Sequence, residues 1–262
     1  MMLRSVFINA LILFVFPCAF DYPLCHASPM DEIRQVLEQR EEVVRSLGFS
    51  LECTFEPDQD WAQDIGQYKT TLSVRFQGTK RIFVENPDRI INFVRQHAFD
   101  GEKSYLMNRH DSGPDRLVLQ EGYASVLLTK PNPLLFLTED WLASSLLAMT
   151  NAEGSTAEYK DGMLVLSGWG GDKSRQVQYE FDPTNDYAMK RFLLSIRGVV
   201  ASEGKLRKWQ TTLVDGVRVP IPIESTIDSF YYFTDGKEPK GRHLYIETVI
   251  TRGYEVNVPY PP

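Results

Sequence analysis

The sequence predicts a mainly β fold (α+β) in which a curved antiparallel sheet covers one apolar helix, with an amphipathic helix near the N-terminus. Three observations predict it. Runs of alternating apolar and polar residues fill both halves of the chain, as in Phe49-Ser-Leu-Glu-Cys-Thr-Phe55. Four Asp-Gly pairs stand between such runs: Asp100-Gly101, Asp161-Gly162, Asp215-Gly216 and Asp235-Gly236. Asp-Gly tolerates the positive backbone angles of tight hairpins, so the neighbours are antiparallel. Pro131 to Met149 instead carries apolar residues at helical spacing: Leu134, Leu137, Trp141, Leu142, Leu146 and Met149. That stripe is too wide for a helix with one wet side, so a sheet has to wrap it.

The elements follow in order. Arg4 precedes Val6–Phe16, a run that is apolar except at Asn9. It falls short of the roughly 20 residues that span a bilayer and matches the core of an export signal. Cys25-His26-Ala27 offers small residues for cleavage after Ala27, so residues 1–27 read as a signal peptide and 28–262 as a single domain. The expected product is soluble and periplasmic or extracellular; retention of the segment as an anchor is the alternative. Of Cys18, Cys25 and Cys53 only Cys53 survives that cleavage, which leaves no internal disulfide.

Ser28 suits a helix N-cap, Pro29 the first turn and Asp31 the positive end of the dipole. Ile33, Val36, Leu37, Val43, Val44 and Leu47 keep helical spacing up to Gly48, while Glu38, Arg40, Glu41 and Glu42 make the charged face. Strands are expected at Phe49–Phe55, Tyr68–Phe76, Arg81–Glu85, Phe93–Phe99, Lys103–Asn108 and Arg116–Gln120. The apolar helix starts at Thr138, with Glu139 and Asp140 at its dipole, or earlier at Asn132-Pro133. Met163–Leu166 is apolar at four consecutive positions, the pattern of a strand buried on both faces. Val177, Tyr179 and Phe181 alternate, and Tyr187–Ile196, Leu206–Val214, Val217–Ile227 and Leu244–Thr251 complete the strands. Pro220 and Pro222 cannot donate to a ladder, so their strand lies at an edge or breaks there.

The helix Asp31–Leu47 running into Phe49–Phe55, and the hairpin Phe99-Asp-Gly-Glu-Lys-Ser-Tyr-Leu106, resemble the LolA/LolB-like superfamily of bacterial lipoprotein carriers. The resemblance extends over most of residues 28–262 and implies an unclosed barrel whose apolar concave face is covered by helices. It also implies that a lipid, an acyl chain or a lipoprotein is held between sheet and helix, with transient membrane-surface contact and no cofactor. Under that reading the ligand wall is Leu134, Leu137, Trp141, Leu142, Leu146 and Met149. The alternative is an exported structural or protein-interaction domain whose core is filled.

Composition narrows the other classes. The net charge of −7 and pI near 5.2 disfavour nucleic acid and electrostatic attachment to anionic lipid. No nucleophile–base–acid set stands out, so an enzyme is not expected. His110-Asp111 with Asp115 belongs to a turn composition, and Asp58 and Asp60 lack a third calcium ligand because Ala62 stands in its place. Ser167-Gly168-Trp169-Gly170-Gly171 has no phosphate-loop Lys and reads as a hairpin with a packed Trp. Part of the run Phe230-Tyr231-Tyr232-Phe233 is a candidate for lining an apolar cavity.

Overall fold

The computed structural model describes residues 27–58, 67–77, 80–87, 93–100, 102–110, 116–121, 146–169, 174–231 and 241–258. Helix α1 (Pro29–Val43) leads into six strands: β1 (Ser46–Pro57), β2 (Tyr68–Gln77), β3 (Lys80–Pro87), β4 (Phe93–Phe99), β5 (Lys103–His110) and β6 (Arg116–Glu121). Helix α2 (Leu146–Thr150) precedes seven more: β7 (Thr156–Lys160), β8 (Met163–Trp169), β9 (Arg175–Asp182), β10 (Ala188–Ile196), β11 (Val199–Val214), β12 (Val217–Phe230) and β13 (His243–Val256).

All thirteen described strands form one sheet, in the order β6-β5-β4-β3-β2-β1-β13-β12-β11-β10-β9-β8-β7. The chain starts at the centre with β1, steps outward to one edge at β6, re-enters at the opposite edge with β7 and steps back to β13 beside β1. Every ladder is antiparallel. Sheets beyond about ten strands curl or split, and this one curves without joining β6 to β7 among the described residues.

The hairpin chemistry is as expected where it is described. Asp161-Gly162 (φ 51° and 78°) and Asp215-Gly216 (φ 47° and 84°) make the β7–β8 and β11–β12 turns. Arg197-Gly198 (φ 51° and 76°) makes the β10–β11 turn and had no Asp to announce it. Gly101, Asp235 and Gly236 lie outside the described residues. Asp100 gives the hairpin of the Asp-Gly-x-x-x-Tyr segment its physical basis. One carboxylate oxygen accepts the amides of Glu102 and Lys103 at 2.8 Å each, and the other accepts the Tyr105 hydroxyl at 2.8 Å. Those backbone bonds lower the Asp100 pKa to about 2.

The two faces of the sheet differ as alternation requires. One row crosses the strands as Phe55, Glu247, Ile227, Gly204, Phe192, Tyr179 and Leu166, all buried. The neighbouring row on the outer face runs Thr54, Thr248, Thr226, Lys205, Arg191 and Glu180. There Arg191 donates to Glu180 at 2.8 Å and to Glu203 at 2.6 Å, a wet, charged surface.

α1 is capped as predicted, with the Ser28 hydroxyl accepting the Asp31 amide at 3.2 Å. Two expectations for it need correction. The helix ends at Val43, not at Leu47 before Gly48, because Asn257 from the far end of the chain intervenes. Its side-chain amide donates to the Val43 carbonyl at 2.8 Å, and its oxygen accepts the Arg45 and Ser46 amides at 2.8 and 3.2 Å. Leu47 and Gly48 thereby become part of β1. Arg40, assigned by its charge to the wet face, is buried with Ile33, Leu37 and Val43. It reaches the carbonyls of Asp186 and Tyr187. Asn257 sits at φ 56°, where glycine is also comfortable. Asn257→Gly therefore keeps the backbone and loses only the three bonds. It is expected to cost about 1–2 kcal/mol, read as a lower urea midpoint with an unchanged slope.

The β12 prolines sit as anticipated in a strand whose ladder breaks. β12 pairs with β11 on one side from Val217 onward, but its ladder with β13 begins only at Glu224. Pro220 and Pro222 fall where one ladder suffices, and the Tyr254 hydroxyl donates to the Pro222 carbonyl. β11 begins at Val199, seven residues before the expected Leu206, since Ser202-Glu-Gly-Lys205 hides the alternation.

Candidate functional site

The site to test is the helix-covered inner face of the sheet. α1 touches α2 and rests on β7, β8 and β12. Ile33 and Leu37 of α1 and Leu146 and Met149 of α2 join Leu164, Leu166 and Phe192 of the strands in one buried cluster. Gly168 allows that approach: a Cβ there would lie 2.6 Å from the Met149 terminal methyl. Leu146 (1% exposed) and Met149 (8%) are thus buried side chains of that cluster. Leu134, Leu137, Trp141 and Leu142, and with them the start of the apolar helix, lie outside the described residues. Four of the six wall positions are therefore not placed.

Toward β1 the inner face becomes polar. Thr70 lies opposite Cys53, Ser225 opposite Val249 and Thr251 opposite Leu51, and all are buried. Glu247, between Phe55 and Ile227, is 5% exposed. A buried carboxylate is costly unless compensated, so its position on the inner row is the least expected feature of the face. Its signal was present in the alternation Tyr245, Glu247, Val249, Thr251, which puts a charge in an inward register. Farther along the same face, Leu72 and Leu106 are half-buried and Val118 is exposed.

The titratable clusters are structural in geometry. Tyr159 donates to Glu32 at 2.7 Å, and the Tyr187 hydroxyl donates to the same carboxylate oxygen. Burial and the carboxylate both raise the Tyr187 pKa, which keeps it a donor. The trio pins the start of α1 to β7 and to the turn before β10. His243 stands between Asp58 Oδ2, 3.4 Å from Nδ1, and Asp228 Oδ1, 3.2 Å from Nε2, with the Phe230 ring at its edge. With a different carboxylate on each ring nitrogen, it ties the end of β1 to β12 and β13. Among the described residues no three His, Cys, Asp or Glu side chains converge as metal ligands.

Other expected features resolve in part. Cys53 is buried in β1, as its alternation required. Trp169, at the last position of β8, is 51% exposed and so is not packed as expected. Tyr231 is buried and Phe230 half-buried, while Tyr232 and Phe233 lie outside the described residues. So do Asp60, Ala62, Asp111, Asp115, Gly170 and Gly171, and the side chains of His97 and His110. No helix among the described residues is long and apolar enough to cross a membrane.

No family model matches the chain, and no curated protein matches it in sequence. Among solved structures it is similar to a crystal structure of a DUF1329 family protein from Desulfovibrio piger ATCC 29098. The likeness covers 90% of this chain and 96% of that one, at 7% identity and a TM-score of 0.49.

Proposed function

We propose that the protein is an exported carrier or sensor that holds a lipid, an acyl chain or an acylated protein against the inner face of its open sheet. The observation that carries the reading is the division of that face. At β7, β8 and β12 it is covered by α1, and side chains of α1 and α2 join the buried cluster of the strands, whereas Leu72 and Leu106, on the same face at β2 and β5, keep part of their apolar surface exposed. The ligand is accordingly assigned to the β1–β6 half, not to the wall at Leu146 and Met149. Each buried methylene of an acyl chain contributes about 0.8 kcal/mol before the costs of ordering, enough for a long chain to be retained through purification. Contact with a membrane surface would then be transient, at loading and release.

The test is native mass spectrometry of protein purified from its own host. The parent is expected to carry a lipid mass that unfolding releases. Leu72→Arg, which puts a charge opposite Leu51, is expected to lose at least about nine-tenths of it while circular dichroism is unchanged. A parent that carries no lipid in repeated preparations would sink the carrier reading. It would favour the second one, an exported interaction or structural domain with a filled core.

A further inference from the structure

The two edges of the sheet are protected very differently. β7 is five residues long, carries Glu158 and Lys160, and is clamped by the bond from Tyr159 to Glu32 of α1. Charge, shortness and a covering element are the usual devices that stop one edge strand from pairing with another. β6, six residues long with Arg116 and Glu121 at its ends, has no charge at Leu117–Leu119 and no covering element among the described residues. All six of its residues are exposed, and Leu117 (68%), Val118 (49%) and Leu119 (57%) present apolar surface on both faces. Such an edge is a template for another strand.

Its sequence also fits itself. A two-fold axis perpendicular to the sheet keeps the inner face of one copy beside the inner face of the other, so antiparallel partners must have residue numbers of even sum. The register that sets Val118 against Val118 of the second copy sets Leu117 against Leu119, and Arg116 against the Gln120 amide. Sliding by two residues in one direction puts Val118 opposite Gln120 and Leu117 opposite Glu121. Sliding in the other puts Val118 opposite Arg116. Only the first register matches every exposed apolar residue with an apolar one.

We propose that β6 is a homodimer edge, where two copies join as one continuous sheet centred on Val118. This inference does not depend on the carrier reading. A six-residue ladder is a small interface, and its expected strength is that of a transient complex, with a dissociation constant on the order of 10 µM. Sedimentation velocity of the full chain from about 1 to 100 µM should show a reversible monomer–dimer equilibrium. Val118→Lys should weaken it at least tenfold with the circular dichroism spectrum unchanged. The register is read by cysteine scanning. Directly opposed Cα atoms lie about 4.5–5.5 Å apart, within disulfide reach. Val118→Cys should therefore form a covalent dimer on mild oxidation, several-fold more than Leu117→Cys or Leu119→Cys alone, with the parent reporting the contribution of the native cysteines. Mixing the Leu117→Cys and Leu119→Cys chains should restore cross-linking. A chain that stays monomeric at 100 µM (a roughly tenfold excess over the expected constant), a dimer indifferent to Val118→Lys, or cross-linking equal at all three positions would each overturn the proposal.

Discussion

Gly204→Ala is expected to destabilise the protein by about 3 kcal/mol, the upper part of the range for overpacked cores. Gly204 on β11 lies between Phe192 of β10 and Ile227 of β12 on the inner face. A Cβ there would stand 2.0 Å from Phe192 Cε1, 2.5 Å from Cδ1 and 2.7 Å from Cζ. No contact of that length survives, so the ring must move. Phe192 is 1% exposed and is flanked across β9 by Tyr179, itself fully buried, so there is no vacant space to receive it. The cost is one of packing, because Gly204 is not among the residues at positive φ. Urea denaturation should show the loss, and Phe192→Leu should recover part of it in the double variant. Coupling of at least about 1 kcal/mol is expected between residues in such contact. Strictly additive effects would show that the ring does not lie over Gly204.

The same position shows why β11 was half hidden. The sheet was readable wherever one face is wet: Phe49, Leu51, Cys53 and Phe55 alternate with Ser50, Glu52 and Thr54, and β1 follows them. Met163–Leu166 was readable because a strand buried on both faces has no polar position, and Leu164, Val165 and Leu166 are all buried. Ser202-Glu203-Gly204 carried no such signal, since Gly204 has no side chain to mark its inward register and the Phe192 ring fills that space. The end of α1 was misread for a related reason. Its stop is supplied by Asn257, more than two hundred residues away, and nothing between Val43 and Gly48 announces it. Glu247 illustrates the limit for the site. Its inward register could be counted off the strand, but whether a carboxylate belongs to the core or to a ligand depends on neighbours that periodicity does not contain.

Arg40 is the other side chain whose loss should be large. Arg40→Ala is expected to cost about 3 kcal/mol and Arg40→Met about half of that, because Met keeps the packing of the stem. Both variants leave two carbonyls of a tight turn unmet. Asp186 and Tyr187 stand at φ 54° and 50°, and Arg40 donates to both carbonyls, to that of Tyr187 at 3.1 Å. Left-handed backbone at a non-glycine costs about 1 kcal/mol or more per residue, so this turn persists because it is held. Burial lowers the Arg40 pKa to about 10, with Asp186 opposing the shift. Arg40 therefore stays charged at neutral pH, and its desolvation offsets part of what its bonds contribute. Asp186 itself is held mainly by Arg218, at 2.7 and 3.1 Å, and by Thr211 at 3.0 Å. The Arg218 hydrogen bonds are the first cause of its lowered pKa, and the charge of Arg40 is a lesser one. A carboxylate with a depressed folded pKa contributes stability that is full above its unfolded value, near about 4, and disappears as pH falls through the folded value. The two arginines therefore separate in acid. Arg40→Met should lower the urea midpoint by a similar amount at pH 7 and at pH 3.5. Arg218→Ala should lower it at pH 7 and leave a flatter acid limb. If Arg40→Met flattened the acid limb more than Arg218→Ala, the turn would be held by the Arg40–Asp186 charge pair and not by the two carbonyl bonds.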